Sequence, residues 1–573
     1  MRYGDVGEEL ARRVVDTLRR ELDVELTPGE ALVRVSPRDG VDYQCDVAMS
    51  LGKRLGRAPR EIAADLAAKT DLADLTETPE VAGPGFLNFV LRRDWLEARA
   101  AALAGDPRLG VAPAEQPRRV AIDYSSPNVA KEMHVGHLRS SVIGDAITRL
   151  LRFSGHEVIP HNHLGDWGTP FGMLIEQVLN DGASGPRTIS DLNEFYRAAR
   201  ATFDADEAFA TRARDRVVLL QSGDEATVAV WRQLVDESMS HFSRVYELLD
   251  VELTPEDSYG ESFYNPHLAA VVEDLEAAGL TEISDGAVCV FPPGHRNREG
   301  DRLPLIVRKR DGGFGYAATD LATVRYWTAE RGVTDLLYVV GSPQAQHFAM
   351  LFAVCRSAGW LTGEHQAVHI GFGSVLGQDG KTMRTRSGES IKLADLLSEA
   401  VEQASARLDG RSTEDRHDVA TAVGIGAVKY ADLSSDRERD YTFSWDRMLS
   451  HEGNTSVYLQ YAVVRARSLL AKADRELDGT RVRITDPAER ALVLTLLRFP
   501  EAVRAATSAY APHKLCTFLY ETAVAFSRFF ERCPVLSAED AEVRASRLVL
   551  VDLTSKTLTL GLSLLGISAP DRL

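Results

Sequence analysis

The chain of 573 residues is defined first by what it lacks. It has no run of about 18 apolar residues, which argues against a membrane span. Its N-terminus, MRYGDVGEELARRVVDTL, is charged and helical in pattern, without the apolar core of a signal sequence, so no export is expected. Cysteine is scarce: Cys45, Cys289, Cys355, Cys516 and Cys533 stand far apart with no CxxC pair. That argues against a disulfide framework or a zinc ribbon and fits a reducing, cytoplasmic setting. Internal repeats and low-complexity tracts are absent. Nor is positive charge in excess: 66 Lys and Arg stand against 84 Asp and Glu, a formal net charge of −18. A uniformly basic surface for nucleic acid is thereby excluded, although a large protein can gather its cations on one face.

What is present describes a globular protein. Hydrophobic residues make up 44% and charged residues 26%, a balance with ample core. The length fits three or four domains at about 150 residues each. Residues 1–110 read as a small α+β unit. In it, ALVRVSPRDGVDYQCDVAMSLGKRLG passes from strand-like alternation to a helix, and VAGPGFLNFVLRRDWL reads as a Gly-Pro turn, a short strand and a helix. GDPRLGVAPAEQPRR follows as a linker. Residues 116–400 then read as an α/β domain. An apolar run at 120–124 predicts a buried strand. Leu138, Ile143, Ile147, Leu150 and Leu151 predict a helix over 134–153, with Gly155 at its C-terminal end. HEVIPHNHL supplies a second strand, completing the nucleotide-binding half of a Rossmann-like sheet. A comparable strand, DLLYVVGS, recurs much later, followed by a helix through QHFAMLFAVCRSAG. The stretches between, about 180–255 and 262–312, read as insertions that split the domain. A connecting segment, 401–445, leads to 446–573, which is almost all helical in pattern and reads as a bundle.

Two histidines three apart, His134 and His137 in NVAKEMHVGHLRSS, open the predicted helix with Gly136 between them. A metal is one reading, with His161 and His163 completing the ligands; against it, HxxH lacks the glutamate of HExxH and no cysteine is near. Two surface histidines without a role are another. A phosphate chain explains more. A helix start carries the positive end of the dipole and unpaired N–H groups, the histidines add donors, and Gly136 lets a flat base or ribose approach the backbone. Lys131, in the loop just before, adds a mobile charge. Such a cluster suits the transition state of attack on a phosphate.

The same residues carry a family resemblance. HVGH after a strand resembles the HIGH signature of class I aminoacyl-tRNA synthetases. The flanks SSPNVAKEMHVGHLRSSVIGDAITRLLRFSGHEV and HNHLGDWGTPFGMLI resemble arginyl-tRNA synthetases in particular, as do DYQCDVAM, GPGFLNF, LQYAVVRARSLL and LGLSLLGISAPDRL, so the likeness spans nearly the full length. The resemblance implies a multidomain protein: an N-terminal α+β domain touching the tRNA elbow, a split Rossmann-like catalytic domain with insertions, a connecting segment against the tRNA stem, and a C-terminal all-α anticodon-binding bundle. It implies ATP carried with Mg²⁺, no zinc, tRNA(Arg) and L-arginine as partners, and a cytoplasmic monomer with no membrane role. The family's second signature, KMSKS, has its counterpart in GQDGKTMRTRSG. Lys381 matches the first lysine, Met383 belongs to the same ATP-binding stretch, and Arg384 stands where the second lysine would be. An arginine fork is not a lysine point charge, so Lys131 is expected to supply the missing ammonium. Gly377, Gly380 and Gly388 favour a mobile phosphate loop; a solvated basic loop is the alternative.

Selecting arginine requires carboxylates buried against a planar cation. In GYAATDLATVRYW, Tyr316 and Asp320 fall four apart, on one helix face, a spacing that packing alone also produces. The resemblance implies that this pair reads the guanidinium, that Glu261 in SYGESFY adds a carboxylate, and that Asn128 and Gln344 hold the α-amino and carboxylate groups. His347 either faces the adenylate or is a satisfied core histidine. For tRNA, the candidates are Tyr43, to stack, and Gln44, to hydrogen-bond, together with Tyr458, Gln460, Tyr461 and Arg465 in VYLQYAVVR, which suit stacking on unpaired bases or an ordinary core helix. The implied reaction is ATP-dependent ligation of arginine to its tRNA through arginyl-adenylate. The rivals are a paralogue acting on arginine outside translation, a class I synthetase for another amino acid, and a non-catalytic tRNA-binding protein.

Overall fold

The computed structural model describes residues 5–180, 192–384, 390–408, 413–473 and 479–573. They form two compact units. The first comprises Met1–Pro113, Ser450–Ser563 and Ser568–Leu573; the second comprises Ala114–Leu449 and Leu564–Ile567.

The N-terminal part of the first unit begins with α1 (Val6–Leu22), whose cap residue Asp5 accepts the Glu8 N–H at 3.1 Å. Strands β1 (Val33–Val35), β2 (Tyr43–Cys45), β3 (Glu80–Ala82) and β4 (Phe86–Phe89) pair antiparallel in the order β1-β2-β4-β3. Helices α2 (Val47–Leu55), α3 (Pro59–Lys69) and α4 (Arg93–Ala104) complete it. The β3–β4 turn presses on α3, and at Gly85, with φ at 149°, a Cβ would stand 2.8 Å from the Pro59 carbonyl carbon.

The second unit is built on β5 (Arg119–Asp123), α5 (Val135–Phe153) and β6 (Glu157–His161). Helices α6 (Thr169–Asn180), α7 (Leu192–Ala205), α8 (Glu207–Ser222) and α9 (Glu225–Leu249) are the first insertion. After α10 (Glu261–Tyr264) and α11 (Leu268–Ala277), a second insertion folds as the antiparallel sheet β7 (Thr281–Ser284), β8 (Ala287–Val290) and β9 (Leu305–Arg308). Then come α12 (Tyr316–Arg325), β10 (Asp335–Tyr338), α13 (Ala345–Ser357) and β11 (Gln366–His369). The main sheet has the order β11-β10-β5-β6 and is parallel throughout. The split expected from DLLYVVGS is thus the observed one: β10 lies beside β5, with Tyr338 opposite Asp123. Parallel strands are covered on both faces, which is why these strands read as apolar runs. The first strand starts one residue earlier than predicted, and Tyr124 leaves the ladder to pack against Gly144. The connections of β5 and β10 leave from their C-terminal ends, where open α/β sheets form their ligand crevice.

Beyond the sheet, β12 (Val375–Leu376) pairs parallel with β13 (Tyr441–Thr442), between which run α14 (Leu393–Ser405) and α15 (Thr413–Leu433), followed by α16 (Trp445–Met448). Arg139 of α5, 1% exposed, donates from Nε to Asp432 of α15 at 3.2 Å and from Nη1 to the Arg439 carbonyl at 2.9 Å. One buried cation therefore ties the helix after HVGH to the base of β13. The Leu564–Ile567 segment completes this unit. At Gly566, φ 64°, a Cβ would stand 2.6 Å from Lys429 Nζ and 2.8 Å from Asp145 Oδ2.

The C-terminal part of the first unit is helical: α17 (Ser456–Ala473), α18 (Pro487–Leu496), α19 (Phe499–Ser508), α20 (His513–Arg532) and α21 (Ala541–Leu564). Arg490 of α18 grips Asp42 with both guanidinium ends, at 2.8 and 2.7 Å, so the two chain segments of this unit share a bidentate pair.

Candidate active site

The first turn of α5 is closed on itself. His134 is the N-cap: its Nδ1 accepts the Gly136 N–H at 3.0 Å, while His137 Nδ1 accepts the His134 N–H at 3.1 Å. The Val135 N–H goes to the Ile391 carbonyl and the His137 N–H to the His134 carbonyl. The unpaired N–H groups expected at this helix start are therefore already taken, which leaves side chains as the donors a phosphate could meet here. Because each Nδ1 accepts, each Nε2 carries the hydrogen. Burial, then the charge of Lys131, holds His134 below its usual range; burial, then His134, pushes His137 down to about 3. Both rings are neutral Nε2–H donors at pH 7, with centroids 4.1 Å apart. At Gly136 a Cβ would stand 2.7 Å from His134 Cε1, so the bare backbone makes room first for the capping ring, before any base or ribose.

The loop feeding this helix is strained. Ser125, Ser126 and Ala130 adopt left-handed φ values of 72°, 49° and 61°, conformations that cost about 1–3 kcal/mol each without support. The support is specific: Ser140 Oγ, Asn162 Oδ1 and Ser238 Oγ accept their three N–H groups. Asn128 is left exposed in that loop, packed so tightly over Gly165 that a Cβ there would lie 2.3 Å from Asn128 Oδ1. Lys131 extends over the ring of Tyr196, its Nζ 4.4 Å from the centroid.

Residues 381–384 of KTMRTR reach the same place through their backbone. Met383 N–H bonds the Val375 carbonyl, Gly377 N–H bonds the Lys381 carbonyl, and Arg384 bridges to Ser390. The returning arm then pairs with HVGH: His134 bridges to Lys392, and the Leu393 N–H bonds the Met133 carbonyl. A groove lined by Gly377, Asp379, Lys381, Met383, Arg384 and Ile391 opens here. Both signatures thus meet along residues 390–393. Lys131 is not among the lining residues, and Gly388 lies outside the described residues.

An acidic cluster occupies the strand ends. Asp123 closes β5 and accepts Ser126 Oγ–H at 2.9 Å. Burial pushes its carboxyl up to about 6, with Asp320 adding and His163 offsetting. Asp320, on α12, accepts from His347 Nε2 at 2.6 Å, and that hydrogen bond, outweighing burial, raises His347. Glu261 begins α10, a turn fixed by Asp166, whose carboxylate takes the Ser262 N–H at 2.9 Å and Oγ–H at 2.6 Å. Glu261 is pushed up to about 7 by burial, with Asp166 and Asp320 raising it and His163 lowering it. Asp320 of α12 therefore raises both Asp123 of β5 and Glu261 of α10. Tyr316 stands 78% exposed at the first position of α12, one turn before Asp320. Gln344 is exposed at the end of a 3₁₀ turn that leads into α13. His161 is buried, its Nε2 3.2 Å from Tyr264 Oη, and burial holds it well below its usual range. Its ring is committed to the core; His163, half-buried, stacks on the same Tyr264 ring. Among the described residues no group of three or more His, Cys, Asp or Glu side chains is set to hold a metal ion.

Asp123, His163 and His347 were not assigned to this cluster from the sequence. A lone Asp closing a predicted buried strand was the available signal for Asp123; nothing local marks the other two.

The RNA-facing candidates divide. Tyr43 is 4% exposed and packs against Gly7, so its ring is core and cannot stack on a base; Gln44 faces the other way and donates to Asn88 at 3.0 Å. Gln460 is fully buried and donates to the Ser568 carbonyl at 2.8 Å, a structural role in place of base contact. Tyr458 is half-buried, its hydroxyl 3.2 Å from Ser527 Oγ. Tyr461, 41% exposed, and Arg465 share an open face with Phe530 and His451: the guanidinium lies 5.3 Å from the Phe530 centroid, and His451 meets Tyr461 edge-on at 5.3 Å.

Three family models match the chain: the arginyl tRNA synthetase N-terminal domain at residues 8–91, the catalytic domain of class I (R) tRNA synthetases at 100–445, and the DALR anticodon binding domain at 459–573. An arginine–tRNA ligase of Thermobifida fusca is 48% identical over 98% of this chain and 99% of its own length. One from Frankia casuarinae is 49% identical over 94% of each. The arginyl-tRNA synthetase structure from Plasmodium falciparum superposes with a TM-score of 0.87 at 27% identity, covering 100% of this chain and 99% of that one. That from Thermus thermophilus, at 24% identity and a TM-score of 0.81 over 99% of each, shares the fold. A catalytic-domain model spanning more than half the chain, together with full-length relatives near half identity, places the chain in the arginyl-tRNA synthetase family, class I enzymes that ligate arginine to tRNA.

Proposed function

We propose that the cluster of Glu261 and Asp320, with Tyr316 over its mouth, reads the substrate guanidinium, while Asn128 and Gln344 hold the α-amino and carboxylate groups. The observation that carries this is the burial of Asp123 and Glu261, which raises both carboxyls, with Asp320 raising each further against the charge of His163. A guanidinium supplies the charge such a cluster favours and can donate to two carboxylates at once. The arginine carboxylate then attacks the α-phosphorus of ATP, forming arginyl-adenylate as pyrophosphate leaves. The Nε2–H groups of His134 and His137 face the developing phosphoryl charge, and Lys381 and Arg384, with Lys131 swinging from Tyr196, draw off the pyrophosphate. Mg²⁺ arrives on the ATP. A terminal ribose hydroxyl of tRNA(Arg) attacks the acyl carbon, and AMP leaves. No side chain forms a bond to substrate, so catalysis is positioning and charge stabilisation.

The N-terminal segment serves the tRNA elbow, with Gln44 at its sheet face, and the Tyr461–Arg465 face of α17 serves unpaired anticodon bases. The enzyme works as a cytoplasmic monomer in protein synthesis. Steady-state charging of tRNA(Arg) by Asp320→Asn tests the pocket. Loss of a charge-assisted hydrogen bond, about 1.5–3 kcal/mol, should raise the arginine KM roughly ten- to hundredfold. An unchanged KM in a destabilised variant would make Asp320 structural instead.

A further inference from the structure

One hydrogen bond in the acidic cluster joins two helices with different tasks. Asp320 stands on α12, one turn after Tyr316, and His347 stands on the first turn of α13, three residues after Gln344. Nε2 of His347 lies 2.6 Å from Oδ2 of Asp320. An ionised carboxylate only accepts, so the imidazole is the donor. Both side chains remain partly open, at 29% and 25%, so the pair faces the crevice. The ring is itself braced. Phe348 meets it edge-on at 5.5 Å and stacks at 5.0 Å and 13° on His369, whose Nε2 bonds the Val340 carbonyl at 2.8 Å. His347 is therefore a partly exposed histidine bonded to a pocket carboxylate, not a fully buried core histidine.

We propose that His347 is a positioning residue for arginine selection, holding Oδ2 of Asp320 so that Oδ1 is presented to the guanidinium in one fixed plane. The proposal rests on the reading of Asp320 as a guanidinium partner. A carboxylate turns freely about its last torsion, where the energy wells are broad. A guanidinium fork needs its acceptor in its own plane, whereas an ammonium tolerates any direction. Fixing that plane favours arginine over lysine. It also sets the distance between the α12 group that meets the guanidinium and the α13 group, Gln344, that meets the other end of the substrate.

The test is arginine-dependent charging of tRNA(Arg) by the full chain, with His347→Ala, His347→Gln and Asp320→Asn alone and combined. His347→Ala should raise the arginine KM about tenfold with kcat little changed, the cost of one hydrogen bond to a charged group. His347→Gln keeps a side-chain N–H near the Nε2 position and should recover most of that loss. In the Asp320→Asn background, His347→Ala should add far less than tenfold, because the carboxylate it orients is gone. Thermal melting of each variant separates unfolding from a pocket effect, and the glutamine variant remains readable if the alanine variant does not fold. An unchanged KM in His347→Ala, a fall in kcat alone, or a full independent loss in the Asp320→Asn background overturns the positioning role. Failure of Asp320→Asn itself to change the arginine KM removes the underlying pocket reading, a distinct outcome.

Discussion

Arginine binding should expel a proton from Glu261. Burial, with Asp166 and Asp320 close by, pushes this carboxyl from its ordinary 4.5 up to about 7. A guanidinium entering the cluster favours the ionised form and returns it toward that ordinary value. The fall of about 2.5 units corresponds to roughly 3 kcal/mol of coupling between proton and arginine, at 1.36 kcal/mol per unit. The sign follows: the group's pKa is high in the free enzyme and low in the complex, so affinity is full above about pH 7 and is lost as pH falls through it. At pH 7 about half a proton should be released per arginine, and at pH 6 about nine-tenths. The apparent Kd should rise about fivefold between those two values. Isothermal titration of arginine in buffers of different ionisation enthalpy measures the release directly. Asp123, pushed up to about 6, and His347, raised by Asp320, would also release protons to the buffer as the guanidinium's charge arrives, so the assignment needs Glu261→Gln. That variant should bind more weakly at pH 8 and release distinctly less at pH 7. A wild-type enzyme with no buffer-dependent heat at pH 7, or equal release by Glu261→Gln, would refute the reasoning.

His134→Ala or His137→Ala should slow adenylate formation about 10²–10³-fold with arginine affinity little changed, since each loses a transition-state donor; ATP–pyrophosphate exchange at saturating ATP with tRNA present is the measurement, and near-normal turnover in both variants would defeat that role. If Lys131 leaves Tyr196 to share the pyrophosphate with Lys381, Lys131→Ala should be about as harmful as Lys381→Ala and the double variant strongly non-additive in single-turnover adenylate formation; independent, multiplicative losses would leave Lys131 on Tyr196.

The Rossmann half was legible because each parallel strand is covered on both faces and so appears as an uninterrupted apolar run, as at Val120–Ile122. The helix start was legible from HVGH, but not its self-capping, which depends on ring rotamers and on Ile391 arriving from far along the chain. Period-two alternation already forbade part of one expectation: Tyr43 and Gln44 are neighbours on a strand and cannot both face RNA. The helical period likewise sets Gln460 apart from the Tyr461–Arg465 face. His161 and His163 looked equivalent in HNHL. The strand's last residue is buried and bonds Tyr264, whereas His163, in the loop, is half-buried and stacks on the same Tyr264 ring. Asp123, Asp320 and His347 come together only through the β5–β10 pairing and the packing of α12 on α13, which no local spacing encodes.

Gly566 bears on how this enzyme is made. Lys429, pushed down to about 8 by burial, donates to the Leu249 and Asp250 carbonyls, and Gly566 closes over it. A ribosome emits the chain in order, so HVGH, the pocket acids and KTMRTR all emerge long before that glycine. A nascent catalytic unit therefore carries the groups proposed for the chemistry while its buried Lys429 still lacks its last covering segment. Completion of the catalytic fold therefore waits until Ser450–Ser563 has been made, so a product terminated before Leu564 keeps the signatures but lacks a piece of the fold that holds them.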